Sequence, residues 1–163
     1  MSKALVIGRF QPFHIGHITL IEYCKQNYES VVVGIGKDKS GRTERNPLTV
    51  KERKRIINTM YSNLKLISIE ENFEGEFVDN VNSELPEETR PREYILVTKN
   101  QTTIDSLEPD FAYDIPDIPI SVRATQIRKN ILKEKEWTKH ITKPIYDELK
   151  SLNFKEKVKV YSR

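Results

Sequence analysis

Short apolar runs alternate with amphipathic stretches from one end of the chain to the other. Ala4–Ile7 is apolar at every position, as expected of a parallel strand covered on both faces. His17–Asn27 then carries Ile18, Leu20, Ile21 and Cys24 on one helical stripe. Val31–Ile35 reads as a second buried strand, Leu64–Ile69 as a third, Tyr94–Val97 as a fourth and Phe111–Tyr113 as a short fifth. A helix opens after Leu48, with Ile56, Ile57 and Met60 on its apolar face. Thr49 is its N-cap, and Glu52 stands three residues on, at capping-box spacing. Thr102–Leu107, Thr125–Leu132 and Lys143–Leu152 read as further helices, the last with Ile145, Leu149 and Leu152 on one side. The stretch 70–92 mixes acids, Asn and prolines with the anchors Phe73, Phe77, Val78, Val81 and Leu85, and reads as a loop followed by a short helix. Strands alternating with helices predict a doubly wound α/β fold: a mostly parallel five-stranded sheet, helices on both faces and a C-terminal helical part from about 124.

Length narrows this picture and charge adds little to it. The 163 residues fit one domain, 1–163, without repeat or linker. Hydrophobic residues make up 37% and charged residues 31%, and no apolar run approaches the roughly 18 residues that a bilayer requires. The apolar segment after Met1-Ser2-Lys3 is too short for a signal peptide, so a cytoplasmic protein without a membrane partner is expected. A single cysteine permits no internal disulfide, and Cys24 reads as a buried structural thiol. Lysines and arginines gather in 37–55, in 123–133 and at the C-terminus, while 70–93 is acidic. Such clusters suit a small phosphorylated ligand as well as a nucleic acid, and the C-terminal lysines read as a solvated face. No aromatic and basic interleaving builds a base-stacking platform, so no nucleic acid partner is expected. Tyr146 and Phe154 read as core rather than interface.

The informative segment is the exit of the first strand, Gly8-Arg9-Phe10-Gln11-Pro12-Phe13-His14-Ile15-Gly16-His17. In open α/β sheets, ligands sit beyond the carboxyl ends of the strands. Gly8 and Gly16 permit close backbone approach, and a helix starting near Gly16 offers N–H groups to an anion. His14 and His17, three residues apart, can turn both imidazoles to one side and donate hydrogen bonds to phosphate oxygen, with the Arg9 cation nearby. Fixed donors of this kind suit nucleotidyl transfer, in which charge crowds the α-phosphorus as a nucleophile enters and pyrophosphate leaves. An attacking phosphate monoester is already largely dianionic, so neither a general base nor a covalent nucleophile is required. Two loop histidines can equally be plain surface residues. A metal site is disfavoured because the remaining His140 is remote in sequence, and the G-x-G-x-x-G dinucleotide pattern is missing.

This segment resembles the HxGH signature of the nucleotidyltransferase superfamily, in the form typical of archaeal-type nicotinamide mononucleotide adenylyltransferases. Gly34-Ile35-Gly36 is similar to that family's second strand exit, and Asn46-Pro47-Leu48-Thr49 with Glu52-Arg53 to its N-P-F-T-x-x-E-R segment. Ala124-Thr125-Gln126-Ile127-Arg128 resembles its second phosphate motif, and Lys135-Glu136-Trp137 with Lys143-Pro144 its C-terminal helical part. The resemblance implies a Rossmann-like nucleotidyltransferase fold and formation of NAD and pyrophosphate from ATP and nicotinamide mononucleotide, with Mg²⁺ accompanying ATP. It implies catalytic roles for His14, His17, Arg9 and Arg128, and ATP contacts from Gly8, Phe10, Gly16, Arg123 and Thr125. Phe77, Lys99 and Asn100 are implied on the acceptor side. Family members are often homo-oligomers, although no interface is legible in this chain. Three departures stand out: Arg123 where the family has Ser, Phe77 where it has a stacking Trp, and Lys99 where it has Gly. They leave open another phosphorylated acceptor, such as phosphopantetheine or a flavin mononucleotide, and a non-catalytic nucleotide- or nucleic-acid-binding protein on the same fold.

Overall fold

The apolar runs become five strands: β1 (Lys3–Gly8), β2 (Val31–Lys37), β3 (Lys65–Glu70), β4 (Tyr94–Val97) and β5 (Ala112–Asp114). Among the described residues seven helices accompany them: α1 (Ile15–Asn27), α2 (Val50–Asn58), α3 (Phe77–Glu84), α4 (Gln101–Leu107), α5 (Ala124–Leu132), α6 (Lys143–Ser151) and α7 (Phe154–Tyr161). The computed structural model describes residues 2–71, 76–86 and 93–163; Phe73, one of the expected anchors, lies outside them. Among the described residues, no helix is long and apolar enough to cross a membrane.

Two compact units emerge, each gathered from three stretches of chain. The first comprises Met1–Gly8, Thr19–Lys39 and Leu64–Pro119, and the second Arg9–Ile18, Ser40–Asn63 and Ile120–Arg163. The first unit holds the sheet, ordered β3-β2-β1-β4-β5 with every neighbouring pair parallel. Register is set by apolar pairs such as Leu5 opposite Val32 and Leu96. The order reverses between β1 and β4, and helices cover both faces of the sheet. Leu5, Val32, Ile69, Phe77, Val81, Tyr94, Leu96 and Leu107 join in one buried cluster. Cys24 is buried, as its place in the stripe implies, and burial followed by the Asp114 charge pushes its thiol up to about 12. Asp114 accepts hydrogen bonds from the hydroxyls of Tyr23 (2.8 Å) and Tyr28 (2.7 Å).

The second unit is helical. Its buried apolar residues include Ile56 and Ile57 of α2, Ile127 and Ile131 of α5, Ile145 and Leu149 of α6, and Phe154 and Val158 of α7. α6 packs against α2 and α7, and α7 against α5. The capping box of α2 forms as its spacing predicts: Glu52 N–H donates to Thr49 Oγ1 (3.2 Å), and Thr49 N–H to Glu52 Oε2 (2.9 Å). α7 is the element that the pattern reading lacked. Lysines at 155, 157 and 159 hide a two-turn stripe of Phe154 and Val158, so the basic C-terminus is a packed helix and not only a solvated face. Trp137 lies against Tyr146 and Phe154, with ring centroids at 5.9 and 6.0 Å. Helix starts also move: α1 begins at Ile15, α4 at Gln101 and α5 at Ala124, each one or two residues earlier than periodicity suggests.

Candidate active site

Residues 9–18 follow β1 and run into the first turn of α1, and the main chain of this loop is held from three directions within the second unit. Arg53 of α2 donates from Nη1 to the Arg9 carbonyl (2.7 Å) and from Nε to the Thr49 carbonyl (3.2 Å). The Gln11 amide pairs both ways with the Leu48 backbone, donating to its carbonyl (2.8 Å) and accepting from its N–H (2.9 Å). Arg128 of α5 donates from Nη1 to the Gln11 carbonyl (2.7 Å). Arg53, Gln11 and Arg128 are all buried, so the carbonyls that the loop turns inward are satisfied, two of them by charged donors. Phe10, between these anchors, adopts φ 52°, a left-handed backbone that costs a non-glycine residue about 1 kcal/mol or more. Its ring is buried edge-on to Phe13 (5.9 Å) and His17 (4.7 Å), and this packing opposes the strain.

The two histidines then meet. Their rings stack with centroids 3.8 Å apart and planes at 24°. Gly16 N–H donates to His14 Nδ1 (3.1 Å), and His14 N–H donates to His17 Nδ1 (3.1 Å). With both Nδ1 lone pairs engaged, the neutral rings must carry their protons on Nε2, and the backbone selects the tautomer. Burial, with the charge of His140 second, lowers the His14 imidazole to about 4; burial and then His14 hold His17 well below its ordinary range. At neutral pH the pair is therefore uncharged and offers two N–H donors. Gly16 is dictated by this arrangement: a Cβ there would lie 2.9 Å from His14 Cε1, 3.0 Å from its Nδ1 and 3.0 Å from Ile120 Cγ2.

Arg128, which holds the Gln11 carbonyl, lies among other charges. Burial comes first in lowering Arg128 from its ordinary value; the charge of Arg45 adds to this, Glu44 opposes it, and Arg9 adds again. Arg128 Nη2 also reaches Thr125 Oγ1 (3.4 Å). The helix carrying both begins one residue earlier than expected, and its N-cap is Arg123. Arg123 makes no side-chain cap hydrogen bond, so the amide end of α5 is not closed by a capping side chain. His140, remote in sequence, comes close after all: its carbonyl accepts the Ile15 N–H (3.0 Å), and its charge bears on His14. Among the described residues, no group of three or more His, Cys, Asp or Glu side chains could hold a metal ion.

The remaining expected residues belong to the first unit. Gly8 ends β1, opposite Ile35. Phe77 opens α3 and is packed into the apolar cluster, 5% exposed, which leaves its ring little surface to offer a ligand. Lys99 donates to the Ile118 carbonyl (2.7 Å), and Asn100 caps α4 by accepting the Thr102 N–H (3.0 Å). Gln11, Arg53, Arg45 and His140 are the site residues that motif reading passed over. Their signal is long-range, except that Gln11 and Arg53 sit inside quoted motifs and are buried polar groups, which always require partners.

The cytidylyltransferase-like family matches residues 5–151, nearly the whole chain. The chain belongs to that family. Its curated relatives include nicotinamide-nucleotide adenylyltransferases. That of Sulfurisphaera tokodaii is 29% identical, over 99% of this chain and 98% of its own length. That of Thermoplasma volcanium is 26% identical, over 93% and 87%. Among solved structures, a bifunctional NMN adenylyltransferase/ADP ribose pyrophosphatase from Francisella tularensis superposes with a TM-score of 0.73 at 19% identity. That match covers 94% of this chain and about half of the bifunctional one, 54%, and speaks for the fold. Membership of the cytidylyltransferase-like family makes this chain a nucleotidyltransferase on a Rossmann-like fold.

Proposed function

We propose that the protein joins ATP to nicotinamide mononucleotide, giving NAD and pyrophosphate. An oxygen of the mononucleotide phosphate attacks the α-phosphorus in line, the bond from that phosphorus to the bridging oxygen breaks, and pyrophosphate departs with the electron pair. The observation that carries the reading is the stacked pair His14 and His17, whose Nδ1 atoms are engaged by backbone N–H groups so that both Nε2–H groups are free to serve as donors. Such preorganised donors stabilise charge where it develops, without reorganisation at the moment of reaction. In this reading Arg9 and Arg45 attract the triphosphate, Arg128 and the amide end of α5 with Thr125 and Arg123 take the leaving pyrophosphate, and Gly8, Phe10 and Gly16 shape the nucleotide's seat. In this reading Mg²⁺ accompanies ATP, as the resemblance implies. The curated relatives, similar over nearly their full length, support nicotinamide mononucleotide as the acceptor.

The test is a coupled assay with Mg-ATP and nicotinamide mononucleotide that reads NAD by reduction to NADH and pyrophosphate separately. Stoichiometric NAD and pyrophosphate are expected, and no NAD at saturating substrates overturns the reading. Phe77 is packed into the apolar cluster and Lys99 is bonded to the Ile118 carbonyl, and the resemblance is what supports Lys99 and Asn100 on the acceptor side. Phosphopantetheine and flavin mononucleotide therefore belong in the same panel, where pyrophosphate without NAD would identify a different acceptor.

A further inference from the structure

A second set of contacts lies behind the histidine loop and is not accounted for by phosphate chemistry. The Glu52 carboxylate receives two hydrogen bonds from the Arg42 guanidinium (2.9 and 3.1 Å), one from Lys157 Nζ of α7 (2.7 Å) and one from the Thr49 N–H (2.9 Å). Burial alone would raise this carboxyl, but the bonds from Arg42, Lys157 and Thr49 outweigh it and hold it down at about 2. Arg42 also donates to the Pro47 carbonyl (3.0 Å), and its guanidinium lies 5.9 Å from the centre of the Tyr161 ring of α7. The segment from Arg42 to Arg53 is thus clasped at one point by a carboxylate that α7 helps to neutralise. The same segment supplies both Leu48, paired twice with Gln11, and Arg53, bonded to the Arg9 carbonyl.

We propose that Glu52, Arg42 and Lys157 are positioning residues for the histidine loop, through which the C-terminal helix α7 sets the placement of His14 and His17 without touching substrate. The chain of contacts is short: Lys157 to Glu52, Glu52 to the Thr49 backbone, Leu48 and Arg53 to the loop that carries the histidines. An ion pair of this kind contributes little as an isolated surface contact. Here it is partly sheltered, with side-chain exposures of 22% for Lys157 and 13% for Glu52, and it joins α7 to a segment 105 residues earlier in the chain. Small displacements of a phosphate-binding constellation are costly in rate and affinity.

This inference concerns the site described under the proposed function, but its first readout needs no catalysis. In the free protein, ¹⁵N NMR of the imidazoles reports the Nε2–H tautomer of His14 and His17. Lys157→Met is expected to shift or broaden these signals and Lys157→Arg to restore them. ATP affinity measured by calorimetry is expected to weaken about fivefold to tenfold in Lys157→Met and to recover in Lys157→Arg. The KM for ATP should rise more than kcat falls. Arg42→Met, which cuts the other arm of the clasp, should reproduce the effect if Lys157→Met does not fold. Unchanged histidine signals and unchanged ATP affinity in a folded Lys157→Met or Arg42→Met protein, with only a lower melting temperature, would overturn the proposal. Altered imidazole signals in a protein that makes no NAD would instead retain the proposal and remove the assigned reaction.

Discussion

His14 ties acid stability to the site. Its imidazole is held near 4 in the folded protein against an ordinary value of 6.5, so between these values the unfolded chain binds more protons than the native one. Stability from this group is complete above about pH 6.5 and is lost as the pH falls toward 4, by on the order of 3 kcal/mol. Urea titrations at pH 7, 5.5 and 4 should show that loss, and His14→Gln should flatten it. His17→Ala, in contrast, should leave the fold intact and lower turnover by about 10²-fold or more, measured as pyrophosphate release. Gly16→Ala is expected to be as damaging, because its Cβ would displace the His14 ring from the amide that orients it; loss of the Nε2–H signature by NMR would accompany the loss of activity. A motif reading reaches His14, Gly16 and His17 readily. It cannot reach the tautomer, which depends on the Gly16 N–H to His14 contact and exists only once the turn has formed.

Binary patterning located every strand and the capping box of α2, because apolar runs and an N-cap with its partner three residues on are local signals. It passed over α7, where lysines on alternate positions dominate the composition while Phe154 and Val158 are buried. It also set α5 one residue late, since Arg123, which occupies the N-cap position, is not a usual capping type and signals no helix start. Phe154→Ala should cost about 3–5 kcal/mol and Lys155→Ala less than about 0.5 kcal/mol, a contrast that thermal unfolding would read directly. If both are neutral, α7 does not belong to the cooperative core of its unit.

Across the whole molecule, what was legible in the sequence is the order of elements and the chemistry of one loop. What was not legible is how that loop is held, because Arg53, Arg128 and His140 reach it from positions dozens of residues away. Acceptor choice is equally illegible: Phe77, the expected stacking ring, answers to the hydrophobic core. The Arg128 to Gln11 hydrogen bond, which spans 117 residues, has a temporal side. At about 5–20 residues per second, a ribosome delivers Arg128 roughly ten seconds after Gln11. The histidine loop is therefore among the first parts of the protein to be made and among the last to be finished. A nascent chain already displaying His14 and His17 still lacks the guanidinium that holds their loop, and the loop is fully anchored only when the C-terminal helices emerge.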